Sequence, residues 1–306
     1  MTGQALGAHD AGHATREALR QAGLDPDQVL GLVRAALAED LAQAGDRTSQ
    51  AIVPVDARTE VCFTARAGGV LCGITVLAAM VADTIGHDAT FRPTAVDGQH
   101  IGAGERLATL EAPARAVLAL ERTALNLLSH LSGIASITRQ WVDALAGTGV
   151  EVRDTRKTMP LLRSLEKYAV RCGGGTNHRA GLYDQILVKD NHVAVAGGVG
   201  AALEAVRAAH PDHDLPVQVE VDSLAQLDEA LQHGANQILL DNFDLDDLRA
   251  AVLRVRSVAP TTVLEASGGL RLENARATAL TGVDLIAVGA LTQSAPALDI
   301  GLDTVG

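Results

Sequence analysis

The sequence predicts an α/β protein in two parts, an α+β segment followed by parallel strands that alternate with helices. Three observations carry this. Short Val/Ile/Leu-rich runs recur at 150–152, 169–170, 185–188, 216–219, 237–240, 262–264 and 285–288. Helical patterns such as 223–233 and 245–255 separate most of them, the rhythm of strands covered on both faces. At 306 residues the chain is long enough for two domains or one large α/β unit.

In chain order, His9, Asp10, His13, Arg16 and Glu17 precede any apolar run, so no signal-peptide core follows a basic start. Apolar residues recur at helical spacing from Asp27 to Leu41. β-rich runs at 60–66 and 69–73 come next, then turn material at 98–105 and a strand at 106–111. Residues 114–145 read as one long helical region, with a break expected near Gly133. It holds Glu121, Arg122, Asn126, His130 and Trp141.

The residues at the ends of the later runs matter more than the runs themselves. The runs end in Arg153-Asp154-Thr155, Arg171-Cys172-Gly173, Lys189-Asp190-Asn191, Glu220-Val221-Asp222, Asp241-Asn242, Glu265-Ala266-Ser267 and Gly289-Ala290. In a barrel of parallel strands these ends share the face on which active sites are built. Asp222 and Asp244 are equally well explained as helix caps. Lys189, Glu220 and Arg153 are not capping types.

Composition sets the class. The chain is 47% hydrophobic and 20% charged, which suits a folded core. Its formal charge of −12 argues against a general nucleic-acid or membrane-surface binder. No stretch approaches the roughly 18 apolar residues of a membrane span. Cys62, Cys72 and Cys172 form no CxxC pair, so neither a disulfide framework nor a thiolate zinc site is expected. The chain reads as cytoplasmic. Against this acidic background the only lysines, Lys157, Lys167 and Lys189, fall in one short window, and the other 22 basic residues are Arg.

That window carries the chemistry. Asp154-Thr155-Arg156-Lys157-Thr158, then Gly173-Gly174-Gly175-Thr176-Asn177-His178-Arg179, then Lys189-Asp190-Asn191-His192 aim several cations at one strand-end face. Arg forks and Lys point charges there suit a small polyanion, although a solvated basic loop is the plain alternative. Glu220 and Asp241 end neighbouring strands and suit Mg²⁺, or else ion pairs with those cations. Ser267-Gly268-Gly269 and Val288-Gly289-Ala290 end the last strands, where glycine lets backbone N–H groups approach phosphate. No Ser-His-Asp arrangement, Walker loop or GxGxxG after a strand is present.

These segments make the chain resemble quinolinate phosphoribosyltransferase. DTRKT (154–158), EKYAV-x-CGGG-x-NHR (166–179), LVKDNH (187–192), EVDS (220–223), LLDN (239–242), EASGG (265–269) and VGALT (288–292) carry the likeness. ERTALNLL (121–128), LSGIAS (131–136) and ARAGGVLCG (65–73) extend it over nearly the whole chain past about residue 25. The first 25 or so residues look like a variable extension.

The resemblance implies a type II phosphoribosyltransferase fold. An N-terminal α/β open sandwich (26–130, joined by about 293–306) accompanies an incomplete TIM-like α/β barrel (131–292). It implies transfer of phosphoribosyl from phosphoribosyl pyrophosphate to quinolinate with Mg²⁺, giving nicotinate mononucleotide, pyrophosphate and CO₂. By matching positions, Arg156, His178, Arg179 and Lys189 would hold quinolinate, with Thr155 beside them and Lys157 at the junction of the two substrates. Glu220 and Asp241 would serve ribose hydroxyls and metal. Lys157, Lys189, Glu220 and Asp241 form the implied catalytic group. Ser267, Gly268, Gly269, Val288, Gly289 and Ala290 would cradle the donor's phosphates. Arg122 would reach into a neighbouring subunit, making a homodimer the minimal active unit, with a hexamer as a further assembly.

Two positions depart from the family pattern. Leu161 stands where the family usually has Gly, and is expected to alter local packing. Tyr183 falls at a variable position. Lys167 is read as a structural partner for Glu166 or a neighbouring acid. Three other readings compete. A nicotinate-specific transferase would need fewer cations, and an inactive anion binder should have lost site residues. An aldolase-like barrel would use Lys189 as a Schiff-base lysine.

Overall fold

In the computed structural model the described residues are 8–212 and 215–305. The chain divides into two compact units. The first comprises residues 1–137, 159–174 and 295–306, and the second 138–158 and 175–294. The expected extension is only partly described: residues 1–7 lie outside the described residues, as do the side chains of His9 and Asp10.

The first unit begins with α1 (Ala8–Gln21), α2 (Pro26–Leu41) and α3 (Arg47–Ile52). Leu19 of α1 is fully buried, so this part of the extension contributes to the core. Asp25 caps α2, accepting the Asp27 N–H at 2.8 Å, and Pro26 takes the first helical turn, where no N–H is needed. Asp46 caps α3 in the same way through the N–H groups of Thr48 and Ser49. Strands β1 (Arg58–Ala65) and β2 (Gly69–Val70) follow, then α4 (Ile74–Thr84), β3 (Thr90–Pro93), β4 (His100–Ile101) and β5 (Arg106–Pro113).

The helix α5 (Ala114–Ala144) runs unbroken, against the expected break at Gly133. The glycine has another reason. A β-carbon at Gly133 would overlap the carbonyl oxygen of Pro296, so the residue permits close backbone approach inside the helix.

Next come β6 (Glu151–Arg153), α6 (Arg163–Cys172), β7 (Ile186–Val188), α7 (Asp190–Ala196), α8 (Val199–Ala209), β8 (Val217–Val221), α9 (Leu224–Gln232) and β9 (Gln237–Asp241). The chain ends with α10 (Leu245–Val258), β10 (Val263–Ser267), α11 (Leu272–Ala279), β11 (Leu285–Ala287), α12 (Ala290–Gln293) and β12 (Ile300–Thr304). The run at 169–170 is helical, within α6, not a strand. Its apolar pair belongs to a helix face, which a two-residue run cannot distinguish from a strand. Helix α6 belongs to the first unit, although the sequence assigns 131–292 to the barrel.

The first unit holds an antiparallel sheet in the order β12-β1-β5-β3 and a two-stranded β2-β4 ribbon. Its core packs Phe63, Leu71, Leu77, Met80, Leu107, Leu110 and Leu128. The second unit is a six-stranded parallel sheet in the order β6-β11-β10-β9-β8-β7. Thr176 bridges Arg153 of β6 in parallel, but β6 and β7 are not paired, so the barrel is incomplete. Helices follow its strands, and side chains cap two of them at the N-terminus. Asp244 caps α10 through the N–H groups of Asp246 and Asp247. Ser223, not Asp222, caps α9; the Asp222 N–H instead donates to Gln226 Oε1 at 3.0 Å.

Candidate active site

Parallel strands bring their C-terminal ends to one face, and a cavity of about 690 Å³ opens there in the second unit. Thr155, Arg156 and Lys157 reach it from the end of β6, and His178 and Arg179 from the segment after Thr176. Lys189 directly follows β7, and Glu220 comes from β8 and Asp241 from β9. Ser267, Gly268 and Gly269 follow β10, and Val288, Gly289 and Ala290 follow β11. Arg122 is different: it is exposed on α5, in the first unit, and is not among the residues lining this cavity.

The cationic wall is partly buried. Arg179 is 8% exposed, and its Nη1 donates to the Gln185 carbonyl at 3.2 Å. Burial, with Arg156 alongside, pulls its guanidinium below the usual value. The Nε atoms of Arg156 and Arg179 are both buried without a hydrogen-bond partner among the described residues. Adjacent like charges and orphaned donors are costly alone and are relieved by a bound anion.

Lys157 is exposed, its backbone held by Thr155 Oγ1, which accepts its N–H at 3.0 Å, and by Thr292 Oγ1, which donates to its carbonyl at 2.8 Å. A β-carbon at Gly289 would lie 2.8 Å from Lys157 Cδ, so glycine makes room for this side chain.

The acids have partners. Lys189 Nζ lies 2.7 Å from Glu220 Oε2, the ion pair that the sequence left as an alternative. Asp241 Oδ2 accepts from Asn242 Nδ2 at 2.7 Å. Among the described residues no group of three or more His, Cys, Asp or Glu is placed to hold a metal. Two carboxylates on adjacent strands nevertheless fit Mg²⁺, which takes one or two carboxylates with waters and substrate phosphates.

The glycine-rich edge has a specific geometry. Gly268 adopts φ +88° and Gly269 φ +60°, and Asn242 itself sits at φ +59°. The Asn242 N–H donates to the Ser267 carbonyl at 2.9 Å, and a β-carbon at Gly268 would stand 2.7 Å from the Asn242 nitrogen. Asn242 thus joins the acid at the end of β9 to the glycines after β10. Sequence reasoning placed it at a strand end and within a motif, without a role of its own. It also missed Gln293, Ser294 and the apolar lining of Leu187, Leu239, Leu270 and Ala287.

Beneath this layer lies a second. Side chains two positions apart on a strand point the same way, so Gln218 and Glu265 sit below Glu220 and Ser267. Glu265 is wholly buried, and Arg153 Nη1 lies 3.1 Å from its Oε2. Gln218 Nε2 donates to that same oxygen at 2.9 Å, and Gln218 Oε1 lies 3.1 Å from His178 Nε2. Arg153, expected on the strand-end face, therefore turns inward as a counter-charge. Asp154 is also fully buried. Its Oδ1 accepts the His178 N–H at 2.8 Å and its Oδ2 accepts from Asn177 Nδ2 at 2.7 Å.

In the first unit, Glu166 is fully buried and its carboxylate takes His130 Nε2 at 2.8 Å and the Met159 N–H at 3.1 Å. Lys167 is buried beside it in α6. Leu161 adopts φ +68°, the conformation a glycine would favour, and is 88% exposed.

Comparison with known proteins gives a consistent result. Residues 46–132 match "Quinolinate phosphoribosyl transferase, N-terminal domain" and residues 134–303 match the corresponding C-terminal domain. A nicotinate-nucleotide pyrophosphorylase (carboxylating) of Mycobacterium leprae is 51% identical over 281 residues, covering 90% of this chain and 97% of its own. A mitochondrial quinolinate phosphoribosyltransferase (decarboxylating) of Nicotiana tabacum is 35% identical, covering 89% of this chain and 81% of its own. The crystal structure of nicotinate-nucleotide pyrophosphorylase from Ehrlichia chaffeensis superposes with a TM-score of 0.84 at 38% identity, over 90% of this chain and 98% of that one.

Proposed function

The chain belongs to the quinolinate phosphoribosyltransferase family, and on that premise we propose that its strand-end cavity converts quinolinate and phosphoribosyl pyrophosphate to nicotinate mononucleotide, pyrophosphate and CO₂, a step of NAD biosynthesis. The observation that carries this reading is the pair of guanidinium groups, Arg156 and Arg179, whose buried Nε atoms have no hydrogen-bond partner among the described residues, in one cavity wall.

Arg156, Arg179 and Lys189 supply positive charge for the two carboxylates of quinolinate, with His178 in the same wall. A monocarboxylate such as nicotinate would leave part of that charge unmatched. Ser267, Gly268, Gly269, Val288, Gly289 and Ala290 form the phosphate cradle, where small residues let backbone N–H groups approach. Thr155 and Lys157 lie between the two regions.

Glu220 and Asp241 are the residues that would hold Mg²⁺, which would supply charge neutralisation for the departing pyrophosphate. Their carboxylates stabilise the ribose carbon as it acquires oxocarbenium character. The pyridine nitrogen bonds to that carbon as the bond to pyrophosphate breaks, and the ring becomes a cation. When the adjacent carboxylate leaves as CO₂, its electron pair passes to that cationic ring, and the vacated carbon takes up a proton. No covalent nucleophile is needed. Positioning of two bound substrates carries the rate.

The minimal active unit in this reading is a homodimer, with Arg122 of one subunit completing its neighbour's site and a hexamer as a further assembly. Its exposure on α5 supports this. Cytoplasmic residence follows from the same reading; among the described residues no helix is long and apolar enough to cross a membrane. The deciding experiment measures quinolinate-dependent release of CO₂ and pyrophosphate, with nicotinate as the control. Turnover of nicotinate alone would overturn the proposal. Mixing Arg122→Ala with Arg156→Ala subunits tests the shared site, since activity should return in the mixed dimer.

A further inference from the structure

The side chains beneath the cavity form a chain of hydrogen bonds whose direction is fixed at both ends. At one end the backbone N–H of Arg179 can only donate, and it donates to His178 Nδ1 at 2.7 Å. Nδ1 therefore holds a lone pair, and the hydrogen of the neutral ring sits on Nε2. At the other end the Arg153 guanidinium can only donate, and its Nη1 lies 3.1 Å from Glu265 Oε2.

Gln218 fits between these ends in one orientation only. Its Nε2 donates to Glu265 Oε2 at 2.9 Å, which leaves its Oε1 to accept the His178 Nε2 hydrogen at 3.1 Å. His178, Gln218 and Glu265 are all buried, so no solvent competes for these bonds. The second Glu265 oxygen has no hydrogen-bond partner among the described residues and lies 3.7 Å from the same His178 nitrogen.

We propose that Glu265 and Gln218 are positioning residues that lock His178 as the neutral Nε2–H tautomer and, through its Nδ1, hold the backbone of Arg179 in place for substrate. Both ring nitrogens are then engaged by the protein. His178 contributes no positive charge to the cavity wall, and the recognition of the two carboxylates rests on Arg156, Arg179 and Lys189. Protonating His178 would place a hydrogen on Nδ1 against the Arg179 N–H, a donor facing a donor. Charged groups close to His178 include Glu265 on β10, whose Oε1 approaches its ring directly, Arg153 and Asp154 at the end of β6, and Arg179 itself; Gln218 on β8 bridges the ring to the other Glu265 oxygen.

The substrate part of this inference rests on the quinolinate reading above, but the tautomer part does not. The test uses the full-length protein labelled with ¹⁵N at histidine, with His178→Asn to assign the resonances. The expected spectrum shows His178 as a single Nε2–H tautomer that takes up no proton between about pH 5.5 and 8.5, unchanged by saturating quinolinate. In Gln218→Leu the ring should begin to titrate. The KM for quinolinate should rise on the order of tenfold while that for the phosphoribosyl donor moves less than about twofold, since a buried N–H has lost its acceptor.

Uptake of a proton by wild-type His178 near the ordinary value of about 6.5, or a hydrogen found on Nδ1, overturns the proposal. So does a folded Gln218→Leu protein with unchanged KM for quinolinate. If that variant does not fold, the wild-type spectrum still decides. A protein that fails to turn over quinolinate yet shows the locked tautomer would sink the substrate reading and leave the relay standing.

Discussion

Lys189 Nζ and Glu220 Oε2 stand 2.7 Å apart, joining the ends of two adjacent parallel strands at the mouth of the cavity. Lys189 is thus both a counter-ion within the protein and a cation facing the substrate region. A planar guanidinium fork cannot take the place of a compact ammonium at that distance. Lys189→Arg and Lys157→Arg should each reduce kcat/KM at least about tenfold, a loss of roughly 1.4 kcal/mol of transition-state stabilisation. Steady-state kinetics with quinolinate check this, and near-normal turnover in either variant removes its assigned role.

Gly268 and Gly289 should respond differently to alanine. At Gly268 the new methyl meets the Asn242 backbone nitrogen at 2.7 Å and the residue sits at φ +88°, so the loop itself must shift. At Gly289 it meets Lys157 Cδ at 2.8 Å, a flexible side chain that can move aside. Gly268→Ala should lower both stability and donor affinity. Gly289→Ala should preserve the melting temperature while raising KM, and equal thermal losses in the two variants would contradict this assignment.

Gly133→Ala is expected to destabilise the first unit, despite alanine's better helix propensity. The overlap with the Pro296 carbonyl should outweigh that gain, at a net cost of about 1–3 kcal/mol. A urea midpoint that rises in the variant would show that the close approach is dispensable.

Helix α4 begins at Gly73, which carries no side chain to cap it. Asp97 does so instead, accepting the N–H groups of Gly73, Ile74 and Thr75 at 2.6, 2.9 and 3.1 Å and the Tyr168 hydroxyl at 2.8 Å. Asp97→Ala strips four donors of a charged acceptor. It should cost about 2–3 kcal/mol, read as a lower denaturation midpoint, with Asp97→Asn losing less.

Burial pushes the Glu265 carboxyl above its ordinary value of 4.5, with Arg153 and Gln218 acting in the opposite direction. The folded protein then holds this proton more tightly than the unfolded chain. The contribution of Glu265 to stability is complete below about pH 4.5 and declines as pH rises through its folded value. Relative to Glu265→Gln, the wild type should therefore lose stability over that rise. Parallel stability–pH curves for the two proteins would refute it.

Much of the site was legible because parallel strands impose a simple rule. Residues that end consecutive strands meet on one face, so Arg156, Lys189, Glu220, Asp241 and Ser267 could be grouped from spacing alone. The exceptions obeyed forces that spacing does not record. Arg153 ends a strand as those residues do, yet turns inward to a buried carboxylate. Gln218 was visible as the one polar residue in an apolar run, but its partner Glu265 is 47 residues away. Gly133 looked like a helix break because the carbonyl it accommodates comes from the far end of the chain.

The sequence by itself determined the alternation of strands and helices, the cluster of cations and the acids set against them. Local chemistry and chain periodicity are enough for these. Only the tertiary structure decided which charges face the cavity and which neutralise one another below it. Hydrogen bonds join donors and acceptors by their separation in space, and folding brings Arg153, Glu265, Gln218 and His178 into one line from four different strands and loops.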